Sequence, residues 1–267
     1  MTEPLRIAAI GDNCVDYYSN LERYYVTGNA VDTAVNVAQQ GMPCAIITSV
    51  ATDAYGDEMY AEFVRQNLDI TRVKRVPGKT AITYMELHGN ERVHGEYEEG
   101  VMADIVFDDE DIQFAASHTL VHSAYWGMAE EALKRIKAAN PAVLISYDFA
   151  DRLDHERLDQ LKGVVDIGFF SYDQRDEWIE KFLTERVAEG MKIAVATLGE
   201  NGSVAYDGKE FYSYGIFEAQ VENTIGAGDS FIAGFIAEYL RSKDITASLA
   251  NGAQIAAKVI GVFGPWL

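Results

Sequence analysis

The stretch 223–231, Asn-Thr-Ile-Gly-Ala-Gly-Asp-Ser-Phe, places small residues and an acidic one directly before a predicted helix. Apolar side chains recur every fourth residue at Phe231, Phe235 and Tyr239, which predicts a helix with one buried face. The glycines then lie at a helix N-terminus, where free backbone N–H groups and the positive end of the dipole attract anions, phosphate above all. We predict an anion hole formed by Gly226, Ala227 and Gly228.

Asp229 follows this anion hole directly. A carboxylate beside a phosphate site repels the ligand unless it has a chemical task, and the predicted task is to accept a proton from a hydroxyl that attacks the phosphate. The alternative is a plain turn with an Asp near a helix start, where Asp is common. A dinucleotide-binding loop is disfavoured because Phe231 occupies the position of the third glycine in that motif.

Composition and charge restrict the class of partner. A chain of 267 residues suffices for one large α/β domain, and its net charge of −20 argues against nucleic acid and anionic membranes as partners. The two cysteines, Cys14 and Cys44, suggest neither a metal site nor a disulfide framework. No signal peptide and no membrane-spanning apolar run is evident. We expect a cytoplasmic protein that acts on small molecules.

Buried apolar runs alternate with helical patterns along most of the chain. Strands are predicted at 5–10, 45–50, 119–122, 143–147, 165–170 and 193–197, with helices between several of them. This alternation predicts an α/β fold in which helices cover both faces of a parallel sheet. Ligands of such sheets bind beyond the carboxyl ends of the strands.

One segment departs from this alternation. Residues 80–87 and 92–97 are rich in β-formers, and Gly89-Asn90 between them is a tight-turn signal, so a β-hairpin is predicted. A hairpin has no place in a parallel sheet. We interpret 73–98 as a lid inserted within a single domain that spans 1–267. The alternative is a surface hairpin without function.

Three signatures in the expected order resemble those of the ribokinase-like (PfkB) carbohydrate kinases. The D-T-x-G-A-G-D signature corresponds to 223–229, the nucleotide loop T-x-G-x-x-G to 197–202, and the Gly-Gly pair with its helix to 27–32. The resemblance covers nearly the whole chain and implies a three-layer α/β/α fold with a mainly parallel sheet and a β lid. Further fragments, among them 99–104 and 126–127, are similar to the branch of this family that phosphorylates fructoselysine.

The resemblance also implies an activity, namely phosphoryl transfer from ATP to a primary hydroxyl of a sugar or sugar-amine. Mg²⁺ is the expected cofactor, a monovalent cation is a further candidate, and a homodimer through the lid is an expected partner. Asp229 would take the hydroxyl proton while the anion hole holds the phosphoryl group. The implied nucleotide-binding residues are Thr197, Gly199, Gly202 and Asn251. The implied substrate-binding residues are Asp12, Asp16, Gly28, Asn29, Asp32 and Arg92.

The chain departs from the family pattern at several positions. Thr27 replaces the first Gly of the pair, and Asn223 replaces the first Asp of the last signature. Asp32 replaces an Asn, where a carboxylate would favour a cationic amino group or face solvent. The N-x-x-E element, which helps to organise magnesium through water, reads Ser-Tyr-Asp-Gln at 171–174, so Gln174 is the implied contact. Asp148, Asp173 and Asp176 are alternatives.

The sequence alone does not exclude other functions. A kinase for another ketose, ribose or a nucleoside would use the same signatures. Arg92 could reach the carboxylate of a lysine moiety, or could be a solvated surface charge. The altered magnesium element leaves a non-catalytic sugar or nucleotide sensor as the alternative from another class.

Overall fold

The structure is a computed structural model that describes residues 4–88, 91–154 and 156–267, and of Glu91 and Arg92 only the backbone. The strands are β1 Ile7–Ile10, β2 Cys14–Tyr18, β3 Arg23–Thr27, β4 Cys44–Ala51, β5 Asp69–Val76, β6 Ile82–His88, β7 Glu91–Glu98, β8 Leu120–Ala124, β9 Leu144–Asp148, β10 Ile167–Ser171, β11 Ile193–Thr197, β12 Ser203–Tyr206 and β13 Phe211–Tyr214. The α-helices are α1 Asn29–Gln39, α2 Ala54–Arg65, α3 Asp109–Ala116, α4 Glu130–Ala139, α5 Arg157–Gln160, α6 Glu177–Ala188, α7 Ala227–Ser242 and α8 Ile245–Val259.

A large sheet forms the centre of the molecule, with strand order β13-β12-β11-β10-β9-β8-β1-β4-β5 in the described residues. Neighbours from β5 to β11 pair in parallel, whereas β12 and β13 add antiparallel at one edge. Strands β1 and β4 are buried along their whole length because helices cover both of their faces. The predicted α/β fold is confirmed.

Two helical layers enclose this sheet. Along β1, Ile7 and Ala9 pack with helices α1, α2, α7 and α8, whereas Ala8 and Ile10 pack with α3, α4, α5 and α6. Successive strand residues point to opposite faces, so this one strand contributes to both cores. All parallel strands end at the same edge of the sheet, and the loops beyond that edge carry the polar residues predicted to bind ligands.

A second, smaller sheet has the strand order β3-β2-β6-β7. The predicted hairpin corresponds to β6 and β7, while its turn, 89–90, lies outside the described residues. The predicted lid range, 73–98, needs two corrections. Residues 73–76 belong to β5, which pairs with β4 in the large sheet, and the small sheet also contains β2 and β3. These two five-residue strands follow β1 closely, and no strand was predicted there from the sequence.

In the described ranges no helix is both long enough and apolar enough to span a bilayer.

Candidate active site

The start of α7 forms the first part of the site. Gly226 precedes the helix with φ of +66°, and a Cβ atom there would lie 2.8 Å from the Cα of Pro265, so glycine is required. A Cβ atom on Gly228, by contrast, meets no described atom within 4 Å. The first-turn N–H groups of a helix lack intrahelical acceptors. The α7 N-terminus therefore borders open space that an anion can enter.

Asn223 braces the loop that leads to this helix. Its Nδ2 donates to the carbonyl oxygen of Phe263 at 3.0 Å and to the Tyr18 hydroxyl at 3.3 Å, while its Oδ1 accepts from the Ile225 N–H at 3.1 Å. An ionised Asp has no donor, so it could not bond the Phe263 carbonyl oxygen and could keep the Tyr18 contact only by accepting from the hydroxyl. The Asp-to-Asn departure thus ties the loop to β2 and to the C-terminal segment.

Asp229 lies in the first turn of α7 and is only 8% exposed. Its Oδ1 accepts a hydrogen bond from Asn29 Nδ2 at 3.0 Å, although the two residues are 200 positions apart in the sequence. Asn29 is the first residue of α1, so this bond joins the N-terminal ends of two helices. The predicted base and a predicted substrate-binding residue are therefore direct partners.

Burial raises the pKa of the Asp229 carboxyl well above its usual range, and the negative charge of Asp148 raises it further. The hydrogen bond from Asn29 acts in the opposite direction because it stabilises the ionised form. Asp148 ends β9, and burial raises its own pKa to about 6. A carboxyl group with a raised pKa has the proton affinity that a general base near neutral pH requires.

Asp12 lies between β1 and β2 and holds the start of α1. Its carboxylate accepts the N–H groups of Asn29 at 3.0 Å and of Ala30 at 3.3 Å. Gly28, just before the helix, has φ of +135°, and a Cβ atom there would lie 2.7 Å from the Asp12 carbonyl oxygen. The carboxylate of Asp12 is thus engaged with the helix terminus and fixes the direction in which Asn29 points.

Thr27 and Asp32, two departures from the family pattern, contact each other. The Thr27 hydroxyl lies 3.0 and 2.8 Å from the two carboxylate oxygens of Asp32, which is 3% exposed. Burial raises the pKa of Asp32, as does the charge of Asp229, whereas the Thr27 hydroxyl lowers it. Asp16 on β2 is also buried. The acceptor side of the site is therefore rich in carboxyl groups and suits a ligand that carries positive charge.

The predicted nucleotide loop joins β11 to β12. Thr197 ends β11, and its hydroxyl donates to the Phe170 carbonyl oxygen at 3.3 Å. Gly199 and Gly202 have φ of +56° and +86°, and a Cβ atom on Gly202 would lie 2.2 Å from the Tyr214 carbonyl oxygen. These glycines shape a tight loop at the same edge of the sheet as Asp148 and the α7 N-terminus.

Asn251, the fourth predicted nucleotide-binding residue, contacts neighbouring helices. It lies within α8, and its Nδ2 donates to the carbonyl oxygen of Gly234 in α7 and to the Gln40 side chain after α1, each at 2.8 Å. These bonds tie three helices together where α7 and α8 pack at glycine positions. Asn251 therefore has a packing role, and its part in nucleotide binding stays a prediction.

The remaining predictions have different outcomes. Gln174 is exposed in the loop after β10, and the side chain of Arg92 lies outside the described residues. Asp176 is engaged as the N-cap of α6, where it accepts from the Ile179 N–H at 2.9 Å. Among the alternatives named for the magnesium contact, Asp148 is the one whose charge raises the pKa of Asp229. The sequence spacing gives no indication of this effect.

The family follows from a comparison of the whole chain with known proteins. The model of the pfkB family carbohydrate kinases matches residues 9–266. The chain belongs to this family. As a PfkB protein, it is 40% identical to fructoselysine 6-kinase of Escherichia coli (strain K12), over 97% of this chain and 99% of that protein. It is 28% identical to the fructosamine kinase FrlD of Bacillus subtilis (strain 168), over 97% and 92% respectively. The predicted family is confirmed.

Solved PfkB-like structures show the same fold. Arabidopsis thaliana ribokinase complexed with ribose and ATP superimposes with a TM-score of 0.81 at 18% identity, covering 99% of this chain and 94% of that one. A putative ribokinase II of E. coli, in complex with ATP and Mg²⁺, gives 0.81 at 18% identity, covering 98% and 94%. The chain therefore has the ribokinase-like architecture, as predicted.

Proposed function

We propose that this carbohydrate kinase transfers the γ-phosphoryl group of ATP to the primary 6-hydroxyl of fructoselysine. The observation that carries the proposal is Asp229, a buried carboxyl beside the open α7 N-terminus and oriented by Asn29. The acceptor is supported by the 40% identity to a fructoselysine 6-kinase across nearly both whole chains. Two buried carboxyl groups, Asp16 and Asp32, fit the positive charge of the amine in such an acceptor.

The phosphoryl group would be held by backbone donors. In our proposal the γ-phosphate lies against the N–H groups of Gly226, Ala227 and Gly228, with the dipole of the 16-residue helix α7 behind them. The transition state of phosphoryl transfer spreads negative charge over the equatorial oxygens, so donors fixed before the reaction stabilise it. The loop with Thr197, Gly199 and Gly202 would bind the rest of the nucleotide.

Asp229 would act on the acceptor hydroxyl. Its carboxylate takes the proton as the hydroxyl oxygen forms its bond to the γ-phosphorus and the bond to the ADP oxygen breaks. Asn29 favours the ionised form of the carboxylate and orients it through its 3.0 Å hydrogen bond. Asp12 and Gly28 fix the start of α1 and hence the position of Asn29, while Asp16 and Asp32 would face the sugar-amine.

We propose that magnesium enters with ATP. In the described ranges no cluster of His, Cys, Asp and Glu side chains could hold a metal ion by itself. A site rich in carboxyl groups nevertheless suits a hard cation that is already ligated by phosphate oxygens. Asp148 would be its protein contact through water, with exposed Gln174 as the second candidate. When bound, the ion neutralises charge on the phosphates.

The architecture supports further parts of the proposal. We propose that residues 1–267 act as one kinase domain and that the small sheet is the lid that excludes water from the acceptor. A lid-mediated homodimer, a cytoplasmic location and a monovalent cation remain proposals. Two free cysteines are consistent with a reducing compartment.

Substitution of Asp229 tests the proposed chemistry. The Asp229→Asn variant keeps the shape of the side chain but loses the proton acceptor, so we expect kcat with fructoselysine to fall about 10²- to 10⁴-fold. ATP binding, measured by calorimetry, should remain close to that of the wild type. Near-normal turnover of the variant would contradict the assigned role.

A substrate screen tests the acceptor. Wild-type protein is assayed for ADP formation with ATP, Mg²⁺ and each of fructoselysine, fructose, ribose and adenosine. We expect the highest kcat/KM with fructoselysine. A preference for ribose or adenosine would replace the acceptor, and the absence of ADP formation with all four, alongside normal ATP binding, would favour a sensor.

A further inference from the structure

An exposed aromatic turn with an arginine follows β8 beside the proposed acceptor site. We call Tyr125, Trp126, Met128 and Arg152 the Trp126 wall. The rings of Tyr125 and Trp126 lie 4.9 Å apart, and the Arg152 guanidinium lies 5.7 and 6.0 Å from their centres. The wall thus combines an apolar surface with a cation at one end.

The backbone places this wall next to the start of α1. A Cβ atom built on Gly11 would lie 2.9 Å from the Gly127 Cα and 3.3 Å from the Ala30 side chain. The turn with Trp126 is therefore packed against Gly11, the residue before Asp12, and against α1, which carries Asn29. The wall therefore borders the start of α1, where the acceptor is proposed to bind.

Two side chains of the Trp126 wall expose about half of their surface to solvent. The Trp126 side chain is 55% exposed and Met128 is 47% exposed, although both flank the tightly packed Gly127. Met128 also has a left-handed backbone with φ of +50°, which is uncommon for a residue with a side chain. Such strained, exposed positions concentrate at ligand sites.

The charge of Arg152 is the second observation. Its Nε lies 3.3 Å from the exposed carboxylate of Asp151, a contact that contributes little in solvent. The neighbouring Arg157, in contrast, pairs with Glu130 at 3.2 Å and lies 4.0 Å above the Tyr125 ring. Because buried carboxyl groups crowd the start of α1, an anionic group of the acceptor is repelled from there and must lie farther out.

We propose that the Trp126 wall binds the amino-acid part of the acceptor. The Trp126 ring and Met128 cover the methylene chain of the lysine moiety, and Arg152 pairs with its carboxylate. This proposal rests on the proposed function, because it assumes an acceptor that joins a sugar through an amine to an amino acid. It adds a subsite that distinguishes such acceptors from simple amine-linked sugars.

The experiment compares two acceptors that differ in one group. Fructoselysine carries the carboxylate, whereas 1-deoxy-1-(5-aminopentylamino)fructose has the same chain without it. For Arg152→Gln we expect kcat/KM with fructoselysine to fall about 3- to 10-fold through KM, with little change for the second acceptor. Trp126→Ala should lower kcat/KM for both acceptors, because the methylene chain is common to them.

Two further variants provide matched comparisons. Arg152→Lys keeps the charge and should recover part of the preference for fructoselysine. Arg175, in the loop after β10, is similarly exposed and pairs with Glu180. Arg175→Gln should leave kcat/KM unchanged for both acceptors. Melting temperatures of all variants identify any that merely unfold.

The outcomes separate this inference from the proposed function. Equal losses for both acceptors in Arg152→Gln, or no loss for either, would overturn the subsite while leaving the kinase proposal intact. Wild-type protein that phosphorylates neither acceptor would overturn the proposed function and the subsite together.

Discussion

At the scale of single residues, the bond from Asn29 to Asp229 explains how a buried carboxyl can serve as a base. Burial and the charge of Asp148 favour the protonated form of Asp229, and the Asn29 amide is the hydrogen-bond donor that opposes them. The site thus balances two requirements. Its carboxyl groups would attract a cationic acceptor, while the Asn29 amide favours the ionised form of the proposed base.

Asn29→Ala should make the enzyme more sensitive to acid. Removal of the donor raises the pKa of Asp229 further, so the acidic limb of the kcat/KM profile should move to higher pH. At pH 7 we expect kcat/KM to fall about tenfold, with a smaller loss at pH 9. Asn29→Ser, which retains a donor, should lie between Asn29→Ala and the wild type. An unchanged acidic limb in the Ala variant would contradict this role.

Asp32 gives a prediction about stability. Its pKa is raised in the folded protein, so the stabilisation from proton binding is present below the unfolded pKa and is lost as pH rises through the folded pKa. Asp32→Asn removes this dependence while keeping an acceptor for the Thr27 hydroxyl. The melting temperature of the variant should exceed that of the wild type at pH 8, by about 2–4 °C for each kcal/mol gained.

The pH trend is the decisive part of the Asp32 prediction. Near pH 4 the difference between Asp32→Asn and the wild type should nearly vanish, because both chains are then neutral at this position. Melting curves at pH 4, 6 and 8 measure it. A constant difference across these values would mean that packing and not charge determines the effect.

At the scale of elements, two helix N-termini meet at the site and have different tasks. The start of α1 is occupied by the Asp12 carboxylate, which accepts two of its N–H groups. The start of α7 is preceded by glycine and bordered by open space at Gly228. The first terminus is therefore closed by the protein's own anion, whereas the second is available to a phosphate.

Substitutions at two glycines of the same loop should separate binding from folding. Gly228→Val adds bulk where a phosphate would lie, so the dissociation constant for ATP should rise about tenfold or more while the melting temperature changes little. Gly226→Ala introduces a Cβ atom 2.8 Å from the Pro265 Cα at a positive φ, and should lower stability by about 1–3 kcal/mol. Calorimetric titration and thermal unfolding measure the two effects. Normal ATP binding by Gly228→Val would contradict the anion hole.

At the scale of the whole molecule, the small sheet contacts the loop before α7, where the phosphate is proposed to bind. Tyr18 of β2 packs with Met85 of β6 and with Ile225, the residue before Gly226. The Asn223 amide links the same tyrosine to Phe263. A displacement of the small sheet would therefore change the contacts of the loop before α7.

The net charge of −20 is compatible with an anionic nucleotide because the local field differs from the total. Helix termini act over short distances, and salt screens the exposed charges beyond about 8–10 Å. On the acceptor side the same acidic excess is an advantage, since it favours an acceptor with a cationic amine.

Much of the fold was predictable from the sequence. Runs such as 45–50 and 193–197 are mostly apolar because their strands are covered on both faces, and the spacing of Phe231, Phe235 and Tyr239 indicates α7. Strands β2 and β3 escaped prediction because short, half-buried strands lack a strong pattern. The edge strand β5 mixes charged and apolar residues, so no strand was predicted there and its last part was assigned to the lid.

The sequence by itself determined the family and led to the proposed anion hole at 226–228 with the acidic residue beside it, since these depend on local backbone geometry and on residue type. Only the tertiary structure decided that Asn29 reaches Asp229, that Thr27 bonds Asp32, and that Asn251 bonds Gly234 of α7. Contacts across 200 positions depend on how the chain folds back on itself, and no local pattern encodes them. Asp229, the proposed base, bonds Asn29 only because helices α1 and α7 pack side by side.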